Sequence, residues 1–351
     1  MGYGGHVLWT AVFSNLYEHS RAPIQVAGVP LPSDLLRGVL YDRSRSFAQD
    51  PIFRNNPKLL FTAPSRKGWA AQGLDAAFRL TVLRVRWLKR AYERCILALS
   101  ERHSRRAGYR LIHPELSLHS YARRETRRRL VWKSGGHIVD LLSRSFGAPP
   151  RTHQGELYFD EEERAQVRRL LESRGLRGFV AVEPETNQEW FGTLRAWPWE
   201  RWQALVDALR AALPDVPIVQ IGVDGSRRLS GVVDLCGQTA FRDAVLVLRE
   251  ARLFLGTEGG LMHAAHAVGA RSLILWGGVT LPEFAGYPHR QRVLCAYVPC
   301  APCGNRGWCD YGHRCMNEIQ VPEVLRAALE LLASGEDPGR APSVRVPLEA
   351  A

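Results

Sequence analysis

The chain has 351 residues, 46% hydrophobic and 9% aromatic, enough apolar material for at least one full core and room for two. Its formal net charge of +12 implies anionic company: nucleic acid, a membrane surface or phosphorylated substrates. No apolar run reaches the roughly 18 residues that span a bilayer and no signal-peptide pattern opens the chain, so a soluble, cytoplasmic protein is expected.

In chain order, apolar residues at Leu8, Ala11, Val12 and Leu16 share one helical face, which makes Gly4-Gly5 a loop feeding a helix. Such loops normally follow a buried strand, and here that strand is absent. Ile24 to Ala27 and Leu59 to Thr62 read as short strands, and Leu74 to Arg102 as one long basic helix. A helix follows around Gly136 to Phe146, ended by Gly147 and Pro149-Pro150, where a domain boundary is expected. Asp160-Glu-Glu-Glu163 looks like a capped start to a helix that runs to Gly175.

The second half alternates short β-rich runs with helices. Strands are expected at Phe179 to Val182, Pro217 to Ile221, Val232 to Leu235, Leu253 to Leu255 and Ser272 to Trp276. Helices are expected from Arg195-Ala-Trp-Pro-Trp-Glu-Arg-Trp202 to Leu213, and at Phe241 to Glu250, Leu261 to Val268 and Val321 to Ala333. This alternation implies a parallel, doubly wound α/β sheet whose ligands sit beyond the C-terminal strand ends. The loops at Glu183, Gly222 and Gly256 would then face one cleft. Gly259 and Gly260 before a helix start would let a phosphate approach unpaired N–H groups, with His263 and Glu258 alongside. A glycine pair alone is often only a tight turn.

The cysteines offer Cys300-x2-Cys303-x5-Cys309-x5-Cys315, four thiols with His313 as a substitute ligand. They suit a structural zinc or iron site bracing a loop, or they remain reduced and unliganded. Positive charge is concentrated from Arg79 to Lys133, including Arg123-Arg124 and Arg127 to Arg129. It fits an anionic acceptor, peripheral contact with an anionic membrane, or simply a solvated face. Nucleic-acid binding is not expected, because the cysteines lie far from these arginines and no recognition motif accompanies them.

Taken together, Arg195-Ala-Trp-Pro-Trp-Glu-Arg-Trp202, Glu258-Gly-Gly-Leu-Met-His263, Cys300 through Met316 and Gly4-Gly5-His6-Val7-Leu8-x-Thr10 resemble glycosyltransferase family 9, the heptosyltransferase-like enzymes. The resemblance implies the GT-B architecture, two Rossmann-like parallel-sheet domains with a cleft between them. Residues 1–155 would form the acceptor-side domain, 156–175 a connecting helix, 176–335 the donor domain with its Cys-rich segment at 295–316, and 336–351 a flexible tail. It implies inverting, metal-independent transfer of a sugar, such as a heptose, from a nucleotide-diphosphate donor to a glycan or glycolipid such as lipopolysaccharide core, with no cofactor required for catalysis; a place at the inner face of the cytoplasmic membrane is expected from the arginine clusters instead. Gly259, Gly260 and Leu261 would hold the donor phosphates beside Glu258 and His263. Arg195 stands where the family has a phosphate-contacting lysine. Gly4, Gly5 and Thr10 belong to the acceptor-side loop, and Glu183 or Asp224 would contact the nucleoside. Where the family has an aspartate as general base, this chain has His6, whose ordinary pKa near 6.5 suits that work. Three readings of His6 stand at this point: it is the base, it only binds acceptor, or catalysis is lost and a sugar-binding protein remains. Nucleotide-sugar epimerisation is a same-fold rival.

Overall fold

The computed structural model describes residues 2–114, 116, 136–185, 193–304, 308–334 and 344–346. Its first element is helix α1 (Tyr3–Ser20), in which every residue from His6 to Leu16 is buried. A helix buried all round sits between layers rather than on a surface. Gly4 and Gly5 lie in its first turn, not in a loop before it, and among the described residues no strand precedes it. The sequence reading failed because glycine is a poor helix former, and tertiary contact overrides propensity here.

A three-stranded parallel sheet follows, ordered β2 (Leu59–Leu60), β1 (Ile24–Val26), β3 (Arg110–Ile112). The single basic helix expected from 74 to 102 is two helices, α3 (Trp69–Thr81) and α4 (Arg86–Ser104), after the short α2 (Pro32–Leu35). No glycine or proline marks that break, so periodicity alone ran through it. Arg123, Arg124 and Arg127 to Arg129 lie outside the described residues. Helix α5 (Ile138–Ser145) is capped by His137, whose Nδ1 accepts from the Val139 N–H. Helix α6 (Glu161–Ser173) starts with the expected reciprocal cap between Asp160 and Glu163.

The second sheet has seven parallel strands in the order β10-β9-β8-β7-β4-β5-β6. These are β4 (Val180–Glu183), β5 (Ile218–Gln220), β6 (Val233–Asp234), β7 (Leu253–Thr257), β8 (Ser272–Trp276), β9 (Arg292–Ala296) and β10 (Val344–Val346). Its helices are α7 (Trp199–Ala212), α8 (Phe241–Glu250), α9 (Gly260–Ala267), the short α10 (Pro282–Ala285) and α11 (Arg314–Asn317), and α12 (Val321–Ala333). Part of the tail expected to be flexible is β10, which pairs with β9 and covers what would otherwise be an edge of unpaired backbone groups. Arg195 lies in a 3-10 turn, Thr193–Arg195, ahead of α7 rather than in it.

Two parallel sheets with helices on their faces make this an α/β protein of GT-B architecture. The halves are joined by α1. Its Val7, Trp9 and Phe13 belong to one continuous apolar core with Phe254, Met262 and Ile274 of the second sheet's layer. Arg242 of α8 adds a polar staple, donating to the Pro51 carbonyl of the first half at 2.8 Å while pairing with Glu163. Among the described residues no helix is long and apolar enough to cross a membrane.

Candidate active site between two helix starts

The strand order puts the C-terminal ends of β5, β4 and β7 side by side, and register pairs Glu183 directly with Gly256. Beyond that edge the chain turns through Glu258 and Gly259 into α9. Its N-cap is a glycine that offers no side-chain cap, and its first turn has no acid. The N-cap of α1, Gly2, is equally uncapped and its first turn also lacks an acid. The two first turns touch: the Cβ that Gly4 lacks would lie 2.7 Å from His263 Cδ2 and 3.5 Å from the Gly260 Cα. Each helix start carries about half a positive charge. Two such ends about 6 Å apart repel by roughly 0.7 kcal/mol at an effective dielectric of about 20. An anion seated between them reverses that sign.

Arg195 supplies a full charge at the same place. Its guanidinium donates to Glu258 Oε1 at 2.7 Å, and the Thr280 hydroxyl donates to that oxygen at 3.3 Å. Burial raises the Glu258 pKa, while Arg195 and Thr280 lower it. A carboxylate cannot itself hold a phosphate. Expected as a phosphate contact, Glu258 instead fixes the direction of Arg195.

Behind the first turn of α9, His263 Nδ1 bonds the Tyr287 hydroxyl at 2.9 Å. Tyr287 stacks face to face on His266, and His137 stacks on His153, itself paired with Asp140. Burial, then Arg195, His137 and His266, depress the His263 pKa well below the ordinary value, so its ring is neutral. Glu183, at the end of β4, is buried, its Oε2 has no hydrogen-bond partner, and desolvation pushes its pKa up to about 8.

From α1, the His6 Nδ1 lies 3.6 Å from Asp50 Oδ2 and its ring packs on Phe53. Asp50 is held in turn by the Ile52 N–H, which donates to its Oδ1 at 2.9 Å. His6 is thus two residues along from the Gly4 contact, with a carboxylate behind it. Sequence reading missed Asp50, Thr280 and Tyr287, because no local motif marks side chains that meet the site only through the fold.

The remaining expected residues are placed differently. Thr10 is buried, its hydroxyl donating to the Val7 carbonyl and accepting from the Glu156 N–H, so it braces the interdomain segment rather than opening on the cleft. Gly5 lies beside Gly4 in the same turn. Asp224 is exposed and caps the Gly225 N–H, two strands away from β7 at about 4.8 Å per strand. Much of the polar loop after Glu183 (186–192) lies outside the described residues. Cys300, Cys303, Cys309 and Cys315 are free and half-buried, and among the described residues no group of three or more potential ligands is arranged to hold a metal.

The model of glycosyltransferase family 9 (heptosyltransferase) matches residues 95–309, more than half of the chain. The chain belongs to glycosyltransferase family 9. The family is one of heptosyltransferase-like glycosyltransferases. Among solved structures, the family 9 glycosyltransferase from Veillonella parvula DSM 2008 superposes with a TM-score of 0.58 at 15% identity, covering 95% of both chains, and so shares the fold. E. coli ADP-heptose lps heptosyltransferase II matches over 56% of this glycosyltransferase and 62% of its own length, at 18% identity and a TM-score of 0.43. The iron-containing dodecameric glycosyltransferase TibC from enterotoxigenic E. coli H10407 matches over 56% and 53%, at 16% identity and a TM-score of 0.43. No curated protein sequence matches.

Proposed function

We propose that this glycosyltransferase moves a heptose-type sugar from a nucleoside-diphosphate donor to a glycan or glycolipid acceptor, such as lipopolysaccharide core, with inversion. The observation that carries this reading is the meeting of two uncapped helix starts, α1 and α9, beside a guanidinium held in place by Glu258. Diphosphate departure builds negative charge on oxygen. N–H groups of Gly260 and Leu261 together with Arg195 stabilise it without rearranging. Gly259 supplies the bare turn that lets the phosphate close in.

His6 takes the acceptor hydroxyl's proton. Its Nδ1 faces Asp50, whose carboxylate orients the ring and stabilises the imidazolium that forms. The acceptor oxygen then bonds to the anomeric carbon as the bond to the diphosphate oxygen breaks on the opposite face. Glu183, neutral at its raised pKa, donates a hydrogen bond toward the nucleoside side of the cleft. Asp224 contributes at most at the outer rim.

The protein works at the inner face of the cytoplasmic membrane. Helices α3 and α4 expose Trp69, Leu74, Leu80 and Trp87 beside Arg79, Arg84, Arg86 and Lys89, a basic apolar surface suited to anionic headgroups. The test is a screen of ADP-, GDP- and UDP-sugars for transfer to glycolipid acceptors. His6→Ala should abolish transfer and leave donor affinity unchanged. Free sugar and nucleotide without acceptor would favour epimerase chemistry, and an unchanged rate would remove His6 from the base role.

A further inference from the structure

We propose that Tyr287 is a positioning residue for donor binding: its hydroxyl donates to His263 Nδ1 and so holds that ring as the tautomer whose Nε2–H donates to the diphosphate between α1 and α9. This role rests on the donor reading above and adds one hydrogen bond to it. Tyr287 lies between α10 and β9, on a turn fixed by its own carbonyl, which accepts from the Arg290 and Gln291 N–H groups at 2.8 Å each. Its ring stacks on His266 at 3.6 Å with an interplanar angle of 3°, and His137 packs on it at 5.6 Å. Held on these sides, the phenol aims its hydroxyl at His263 Nδ1, 2.9 Å away.

Which atom donates follows from where the protons can go. Tyr287 is 4% exposed, and burial raises its pKa, so the phenol keeps its proton. Among the described residues His263 Nδ1 is the hydroxyl's hydrogen-bond partner, and in a neutral ring it accepts only when the ring proton sits on Nε2. The reverse arrangement, with Nδ1–H donating to the phenol oxygen, leaves a buried O–H without an acceptor. Burial, with Arg195, His137 and His266 nearby, keeps the ring from charging. The tautomer alone therefore decides whether Nε2 presents a hydrogen or a lone pair.

Nε2 lies on the ring edge turned to the first turn of α1: a Cβ on Gly4 would meet Cδ2 at 2.7 Å and Nε2 at 3.4 Å. Along this seam the N–H groups of two helix starts converge. A hydrogen on Nε2 adds to their field, whereas a lone pair there would oppose an anion. The plainest alternative is that Tyr287 only fills space against His266. A phenylalanine would then serve the donor site equally well, and the two readings differ in the position of one proton.

Nitrogen-15 NMR of histidine-labelled protein reads that proton without any ligand, with His263 assigned through its contact with Gly4. The wild type should show a protonated Nε2 and a bare Nδ1, and Tyr287→Phe should lose that preference. ADP, GDP and UDP are then titrated by calorimetry. The nucleotide that binds the wild type most tightly should bind Tyr287→Phe about three- to tenfold more weakly, the worth of one neutral hydrogen bond. In a His263→Ala background Tyr287→Phe should change that affinity no further. A wild-type ring protonated on Nδ1, or a tautomer or affinity unaltered by Tyr287→Phe, overturns the proposal and leaves the donor reading standing. If none of the three nucleotides binds the wild type, the donor reading falls and this role falls with it. Should Tyr287→Phe not fold, the wild type decides: the Nε2 signal should move when the nucleotide is added to saturation, and an unmoved signal overturns the proposal.

Discussion

Gly4→Ala tests the contact on which the donor site is built. The added Cβ would sit 2.7 Å from His263 Cδ2, whereas carbon atoms rest about 3.5 to 4.0 Å apart. Close to an ångström must be found somewhere. His263 cannot swing away cheaply, because Tyr287 holds its Nδ1 and the ring is buried. The two first turns must therefore separate, at an overpacking cost of about 1–3 kcal/mol. Replacing glycine in a helix returns up to about 1 kcal/mol, less in a first turn. A net loss of about 1–2 kcal/mol is expected by urea unfolding at neutral pH, together with weaker donor binding as the helix starts part. Gly2→Ala is the control: its Cβ meets nothing within 4 Å, so stability should move by less than about 0.5 kcal/mol. In a His263→Ala background most of the Gly4→Ala cost should vanish. Equal or greater stability of Gly4→Ala over the wild type would refute the described contact.

Further outcomes follow from burial and charge. Glu183 has its pKa raised from 4.5 to about 8, so the fold holds a proton that the unfolded chain has released. Its stabilising contribution is complete below about pH 4.5 and is lost as pH rises through 8, on the order of a few kcal/mol in all. Glu183→Gln should flatten that decline, and an unaltered alkaline limb in pH-dependent unfolding would contradict it. His137 and His266 run the other way: burial, with neighbouring charges, lowers both to about 3. Stability should fall as pH drops below about 6.5, and His266→Asn should lessen that slope in acid titrations. Trp69→Ser with Trp87→Ser should release the protein from anionic vesicles in sedimentation assays without altering its melting point. Retention equal to the wild type would move membrane contact elsewhere.

The donor half was legible because its elements depend on local pattern. Phe241–Glu250, Ser272–Trp276 and Val321–Ala333 match the periodic apolar runs residue for residue. Asp160 and Glu163 announced α6 through cap chemistry. The first half resisted because its structure is decided by distant contacts. Gly4-Gly5 reads as a loop until His263 is packed against it, and nothing between Thr81 and Arg86 signals the break between α3 and α4. The site followed the same division. Arg195, Glu258 and His263 were visible as a motif, yet Glu258's pairing with Arg195 required the fold. Asp50 behind His6 and Tyr287 behind His263 come from segments with no signature.

The most direct test of the account is calorimetry of nucleoside-diphosphate sugars with the wild type, Arg195→Gln and Glu258→Gln. One nucleotide should bind preferentially. Arg195→Gln should weaken it by about 1.5–3 kcal/mol, the worth of a charged hydrogen bond. Glu258→Gln should cost less, because the guanidinium remains but loses its fixed direction. Absence of binding by any nucleotide sugar, or equal affinity in Arg195→Gln, would contradict a diphosphate seated between α1 and α9.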